Sequence, residues 1–221
     1  MPVVVALIGA ALVALSVPHL IAGIATAPFD EAVRSLGRGA ELDDKTMRLA
    51  RGSREHAMRL TGEGRYFAEA AALRFTTLQQ EADRSGVAWR DDLDTVIAAH
   101  RTALERAPSQ PFLWNRLALA ATLRDGYGPL VADALRMSLA TGRYEPRLVL
   151  PRLELALPAW NRLPAVLQSE FGDQIVLAMR WDPDGLVALT HRTWRLAETR
   201  AALAVEPRLR ARFNLLYERR R

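Results

Sequence analysis

Between Val3 and Ala27 the chain carries no charge, unless His19 is protonated. The run VVVALIGAALVALSVPHLIAGIATA is 25 residues of mostly aliphatic side chains. About 20 apolar helical residues span a bilayer. A buried core helix is rarely apolar on every face over such a length. The run therefore reads as a membrane anchor or an export signal, and the rest of the chain is presented at a membrane.

The two readings differ in detail. A cleaved signal has a charged n-region, a short apolar core and a small-x-small cleavage site. Here only Met1-Pro2 precede the run, and the apolar stretch is long. Ala25-Thr26-Ala27 has the small-x-small pattern, but Pro28 follows it directly. We favour an uncleaved single-pass anchor over residues 1–28. Pro18 is expected to kink or split that helix. Arg34, Arg38, Lys45 and Arg48 follow the span, and by positive-inside counting they would hold the domain in the cytoplasm. They are interleaved with Asp30, Glu31, Glu41, Asp43 and Asp44. Large domains also translocate largely regardless of charge. The expectation is an inner-membrane protein with a periplasmic domain. The absence of cysteine excludes disulfides, thiolate metal sites and cysteine nucleophiles.

Past the anchor almost everything reads as helix, and no run of alternating β-branched residues suggests a strand. Helices are expected at 30–37, from Asp43-Asp44 to Thr61, from Tyr66 to about Arg84, and from Asp91 or Asp92 to just before Pro108. Further helices are expected at 111–124, 128–141, 147–157, 163–170, 172–180, 184–205 and 207–218. Glycines and prolines supply the breaks, with Gly62-x-Gly64, Gly86, Gly126/Gly128, Gly142, Pro158, Gly172 and Pro183 among them.

Residues 91–146 carry the clearest pattern. Leu93, Ile97, His100 and Leu104 fall at i, i+4, i+7 and i+11, an apolar stripe on one helix. Ala103-Leu104-x-x-Ala107-Pro108 closes it. Then come Trp114-x-x-Leu117-Ala118-x-x-Ala121, the turn Asp125-Gly126-Tyr127-Gly128, and a return helix lined by Leu130, Ala134 and Met137. This segment resembles a tetratricopeptide repeat, with Ala118 and Ala121 in place of that family's glycine and tyrosine. The resemblance implies stacked helical hairpins with Leu93, Ile97, Leu104, Trp114, Leu117, Ala118, Leu130 and Ala134 in the core. At least about three such units are needed to bury a continuous core, so flanking helices must serve as atypical repeats. The expected organisation is an all-α, repeat-like array: anchor 1–28, N-terminal helices 29–90, hairpins 91–146, and degenerate C-terminal repeats with a basic tail, 147–221.

The whole layout also resembles membrane-anchored accessory proteins of bacterial exopolysaccharide biosynthesis. The similarity rests on the N-terminal span, on Ala103-Leu104-Glu105-Arg106-Ala107-Pro108 followed by Trp114-x-Arg116-Leu117-Ala118, and on Glu145-Pro146, Leu153 and Trp160-x-x-Leu163. It implies an accessory role in polysaccharide production or export.

No catalytic constellation stands out. The four histidines, His19, His56, His100 and His191, have no i, i+3 or i+4 pairing, so no metal and no cofactor are expected. His100 reads as a core residue. His56 and His191 read as solvent-facing, and His19 as a neutral residue near the membrane interface. Asp43/Asp44 and Asp91/Asp92 sit where helix caps belong. Glu154 and Glu170 read as surface charge. Tryptophans 89, 114, 160, 181 and 194 could line a sugar groove, but Trp114, Trp160 and Trp194 are assigned to the core. Trp89, in an Asp-rich stretch, is the exposed candidate for binding. Residues 192–221 hold nine arginines against three glutamates, +6 in a chain of net +5. Arg208, Arg210, Arg212, Arg219, Arg220 and Arg221 are therefore candidates for contact with an acidic partner or anionic lipid. No nucleic-acid motif is present. The function expected is a non-catalytic adaptor that binds other envelope proteins. The alternatives are an assembly factor for another envelope system, such as cytochrome maturation or cell division, and a helical enzyme acting on glycan.

Overall fold

A computed structural model describes residues 2–37, 40–80 and 86–220. Among them every regular element is a helix. The chain divides into two compact units, Met1–Ser109 and Gln110–Arg221. The hairpin segment expected at 91–146 is thus cut between them.

The first unit contains α1 (Pro2–Thr26), α2 (Asp30–Gly37), α3 (Asp44–Thr61), α4 (Gly64–Gln80) and α5 (Gly86–Arg106). The N-terminal helical stretch, with Leu12–Leu36 as the span found among the described residues, is long and apolar enough to cross a membrane by length and composition. α1 is one continuous helix, and Pro18 sits inside it without splitting it. α3 begins where its cap requires. Asp43 accepts hydrogen bonds from the Thr46 amide (2.9 Å) and the Thr46 hydroxyl (2.6 Å). The Thr46 hydroxyl, followed by its amide, holds the Asp43 carboxyl below the usual carboxylate range. α3 ends at Gly62, whose φ of +67° is in the left-handed region that glycine adopts without strain. Two buried clusters join α1, α2, α3 and α4. Ala22 of α1 packs on Ala57 and Tyr66, with Met58 against them. Met47, Ala50 and Leu73 form the other, covered by Phe29, Val33, Leu36 and Leu42.

The expected start of α5 at Asp91 or Asp92 is corrected. The helix begins at Gly86, and Trp89 lies in its first turn rather than in a loop. Trp89 is 8% exposed. It stands four residues before Leu93, so it extends the buried stripe of Leu93, Ile97, His100 and Leu104 by one more step. The expected end of α4 near Arg84 lies outside the described residues.

The second unit contains α6 (Pro111–Asp125), α7 (Pro129–Gly142), α8 (Pro146–Ala156), α9 (Ala165–Trp181), α10 (Pro183–Thr193), α11 (Leu196–Ala202) and α12 (Pro207–Arg219). Five of these open on proline, whose missing N–H costs nothing in a first turn. α6 and α7 form a hairpin. Leu117, Ala118 and Ala134 are buried there, whereas Trp114 and Leu130 are only half-buried. Two expected boundaries change. α9 runs through Gly172, because Leu167, Phe171, Ile175 and Ala178 form one buried face along it. That burial outweighs the roughly 1 kcal/mol cost of a helical glycine. The helix expected over 184–205 instead breaks at Trp194, which adopts a left-handed φ of +58°. The turn throws the Trp194 side chain outward. It is 88% exposed, not part of the core.

One arginine is fully enclosed in this unit. Arg152 of α8 donates to the Ser138 carbonyl (2.6 Å), the Gly142 carbonyl (2.9 Å) and the Ser138 hydroxyl (2.9 Å). Those carbonyls belong to the last turn of α7, where the helix dipole favours a cation. Burial pushes the guanidinium down to about 10, which leaves it charged at neutral pH.

Leu117 is 1% exposed, so Leu117→Ala is expected to cost about 2–5 kcal/mol through the cavity it leaves. Trp114→Ala, at a half-buried position, should cost less. Thermal melts of the two variants in the same detergent check the order.

Candidate partner-binding site

The apolar helix is fastened to its unit by one buried cation. Arg54 of α3 is 1% exposed. Its guanidinium donates to the Thr26 carbonyl (3.0 Å), to Asp30 (2.5 Å) and to Glu69 (2.9 Å). Those partners come from the end of α1, the start of α2 and the middle of α4. A second contact lies further along α1, where His19 Nδ1 stands 2.6 Å from a Glu63 carboxylate oxygen. Going from Thr26 to His19, α1 therefore meets α3 and its following turn from Arg54 to Glu63. The two helices run antiparallel.

On the other side of α3 lies a groove. α3 lines it with Asp44, Arg48, Arg51, Glu55 and Arg59, which are helix neighbours at i, i+4, i+7, i+11 and i+15. α5 lines it with Asp92, Thr95, Val96, Ala99 and Thr102. The floor is α4, with Phe67, Ala70, Ala71, Arg74, Thr77, Leu78 and Gln80. Three hollows of about 450, 180 and 360 Å³ follow one another along it. Arg51 and Thr77 are shared by the first two and Arg74 by the last two, so the hollows form one channel. Small side chains at Ala70, Ala71 and Ala99 keep the floor low at one end, beside Met58 and Phe67.

The charges in the groove do not cancel locally. Glu55 stands 3.8 Å from Arg51 and 3.4 Å from Arg74. Among the described residues no carboxylate stands within ion-pair distance of Arg48 or Arg59, which are exposed toward the two ends. From Arg48 to Arg59 is 11 residues, roughly 16 Å of helix. The groove thus offers two exposed cations, Arg48 and Arg59, and a floor that is apolar at the Phe67, Ala70 and Ala71 end and polar at the Thr77 and Gln80 end. It can take a segment with carboxylates and small apolar side chains. Among the described lining residues no nucleophile stands beside a base. Among the described residues no group of three histidine, aspartate or glutamate side chains converges to hold a metal.

The residues singled out by sequence are scattered. Trp89 is buried in α5 and cannot serve as an exposed binding residue. Arg208, Arg210, Arg212 and Arg219 are exposed on α12, as is Arg220 just after it. Arg208, Arg212 and Arg219 share one face with Leu215, an exposed apolar residue. Arg221 lies outside the described residues. The arginines before α12 are engaged: Arg192 with Glu154, Arg195 with Glu198, and Arg200 with Asn214. His191 is corrected from solvent-facing to half-buried, stacked on Tyr217 with 3.8 Å between ring centroids. His100 is buried, its Nδ1 2.9 Å from the Val96 carbonyl. His56 is exposed. No part of the groove was singled out beforehand. The signal was present in the Arg48, Arg51, Glu55, Arg59 spacing, which puts polar residues on one face of α3.

Comparison with known protein families, curated proteins and solved structures finds no match to this chain.

Arg54→Leu leaves the Thr26 carbonyl, Asp30 and Glu69 without their shared donor. The loss is expected to be about 3 kcal/mol, the low end for a buried ion pair because both carboxylates are partly solvated. Trypsin should then cut faster at Arg34 in α2, and the thermal melt should fall. An unchanged digestion rate would show that α1 and α2 are held by other contacts.

Proposed function

We propose that this protein is a membrane-anchored, non-catalytic adaptor that holds a partner segment in the α3–α4–α5 groove. The observation that carries this reading is the groove itself, in a unit that Arg54 bolts to the apolar helix. A partner seated there is held at a fixed distance from the membrane rather than on a loose tether. The same bolt favours an uncleaved anchor. Cutting after Ala27 would remove Ala22 and the Thr26 carbonyl from the unit and expose the Arg54 side chain to water. The expected assembly is a bacterial envelope system, with exopolysaccharide synthesis or export the first choice on the resemblance of layout. The stacking of α4 on α5 and of α6 on α7 as helical pairs supports a tetratricopeptide-like array. The exposed arginines of α12 add a second contact for an acidic partner or anionic lipid.

A photo-crosslinking residue at Ala99 should capture a partner in the native membrane. The same residue at exposed His56, about a quarter turn round α3 from Glu55 and outside the lining of the hollows, should capture less. Arg48→Glu/Arg59→Glu should remove the Ala99 adduct while leaving the melt within about 1 kcal/mol, as expected of exposed substitutions. Equal capture at Ala99 and His56 would dismiss the groove.

The domain is expected outside the cytoplasm. An enzyme active only in the periplasm, fused after Arg221, should be active and stay with the membrane fraction. A silent fusion would place the domain on the inner side.

A further inference from the structure

α1 carries more than its membrane part, and the division between the two can be located. Glu63, a carboxylate, stands 2.6 Å from His19 and 2.8 Å from Arg65. Charged side chains are strongly disfavoured in hydrocarbon. With α1 as the membrane anchor, these contacts favour a hydrocarbon layer that ends before His19. That leaves Pro2–Pro18, 17 residues or roughly 25 Å of helix, at the short limit for crossing a bilayer. Val4, Leu12, Val13, Leu15 and Val17 are exposed along this part, as are Leu20, Ile21 and Ile24 beyond it.

The end of the unit from which this rod emerges is built by three helix termini. α3 contributes Arg59 and Leu60 from its last turn, and α4 contributes Arg65 from its first. α5 ends beside them. A Cβ built on Gly64 would lie 2.7 Å from the Arg106 carbonyl oxygen, and the Arg106 guanidinium covers the Phe67 ring at 5.6 Å. Arg59, Arg65 and Arg106 are all exposed. The carboxylates at this end are Glu63, already engaged by His19 and Arg65, and the exposed Glu105. Guanidinium groups bind phosphate oxygens in a bidentate fork.

We propose that this end of the first unit rests on the phosphate layer of the bilayer, with Arg59, Arg65 and Arg106 as lipid-phosphate ligands and Leu60 at headgroup depth. This rests on the reading of α1 as a membrane anchor. The groove would then run from the membrane surface at Arg59 outward to Arg48.

The chain has no cysteine, so single-cysteine labelling reports one position at a time. The full chain carrying Leu12→Cys, Leu60→Cys or Leu49→Cys is labelled with a small fluorophore. Each is reconstituted into phosphatidylcholine–phosphatidylglycerol vesicles with a quencher at the headgroup or deep in the acyl chains. All three leucines are exposed, so the labels should not disturb packing. Leu12→Cys should be quenched from the acyl depth. Leu60→Cys should be quenched several-fold more than Leu49→Cys by the headgroup quencher, and little by the deep one. Adding Arg59→Gln/Arg106→Gln should reduce the Leu60→Cys quenching toward the Leu49→Cys value. If Leu12→Cys is quenched while Leu60→Cys behaves like Leu49→Cys, the seat is wrong and the anchor stands. Deep quenching at Leu60→Cys, or no effect of the double arginine change, also overturns the seat. If Leu12→Cys is not quenched, the anchor reading itself fails.

Discussion

A single buried guanidinium sets the arrangement of the first unit. Arg54 sits where the apolar helix ends and the charged part of the chain begins, and it joins α1, α2, α3 and α4 through three oxygen partners. Burying a lone cation there would be prohibitive. Two carboxylates and a carbonyl make it tolerable, and each comes from a different helix. The cation therefore acts less as a source of net stability than as a constraint on which helix ends may meet. Ala22 and Ala57 then let α1 approach α3 closely. The position of the groove follows, because α3 turns one face to α1 and presents another to α5.

Helix positions were readable where local chemistry decides them. Asp43 caps α3, Gly62 ends it, and prolines open five helices of the second unit. Three misjudged places share one cause, which is that local signals were weighed without the packing they serve. Gly172 looks like a stop, but a buried apolar face carries α9 through it. Asp91 and Asp92 look like caps, but the buried stripe already begins at Trp89. Trp194 has the composition of a core residue, yet its left-handed backbone turns it into water. Nothing in spacing or type forecasts a tryptophan in that conformation.

The candidate site was harder to see because this chain uses arginine everywhere. Of 30 basic residues only Lys45 is a lysine. Arginine is thus background, and neither its type nor its enrichment at 192–221 distinguishes the isolated residues that matter to the fold. Arg54 and Arg152 are the largest fully buried side chains. Neither has a neighbour in sequence that marks it. What sets them apart is long-range: Asp30 and Glu69 for one, the end of α7 for the other.

The comparison of these two arginines shows how the units differ physically. Arg54 is neutralised by carboxylates that stay partly in water, so the joint it forms is polar on one side and open to solvent. Arg152 hydrogen-bonds only to neutral oxygens, at a helix terminus whose partial charge favours a cation, with Glu145 acting on it from a distance. Its side chain is fully buried, and burial lowers its proton affinity accordingly. A joint of the first kind suits a boundary between an apolar rod and a solvated domain, where one face must meet water. A joint of the second kind suits the interior of a bundle, where α7 and α8 must be held at a fixed angle and no acid could be desolvated cheaply. The same side chain thus serves in both units, with its counter-charge set by how far each place is open to solvent.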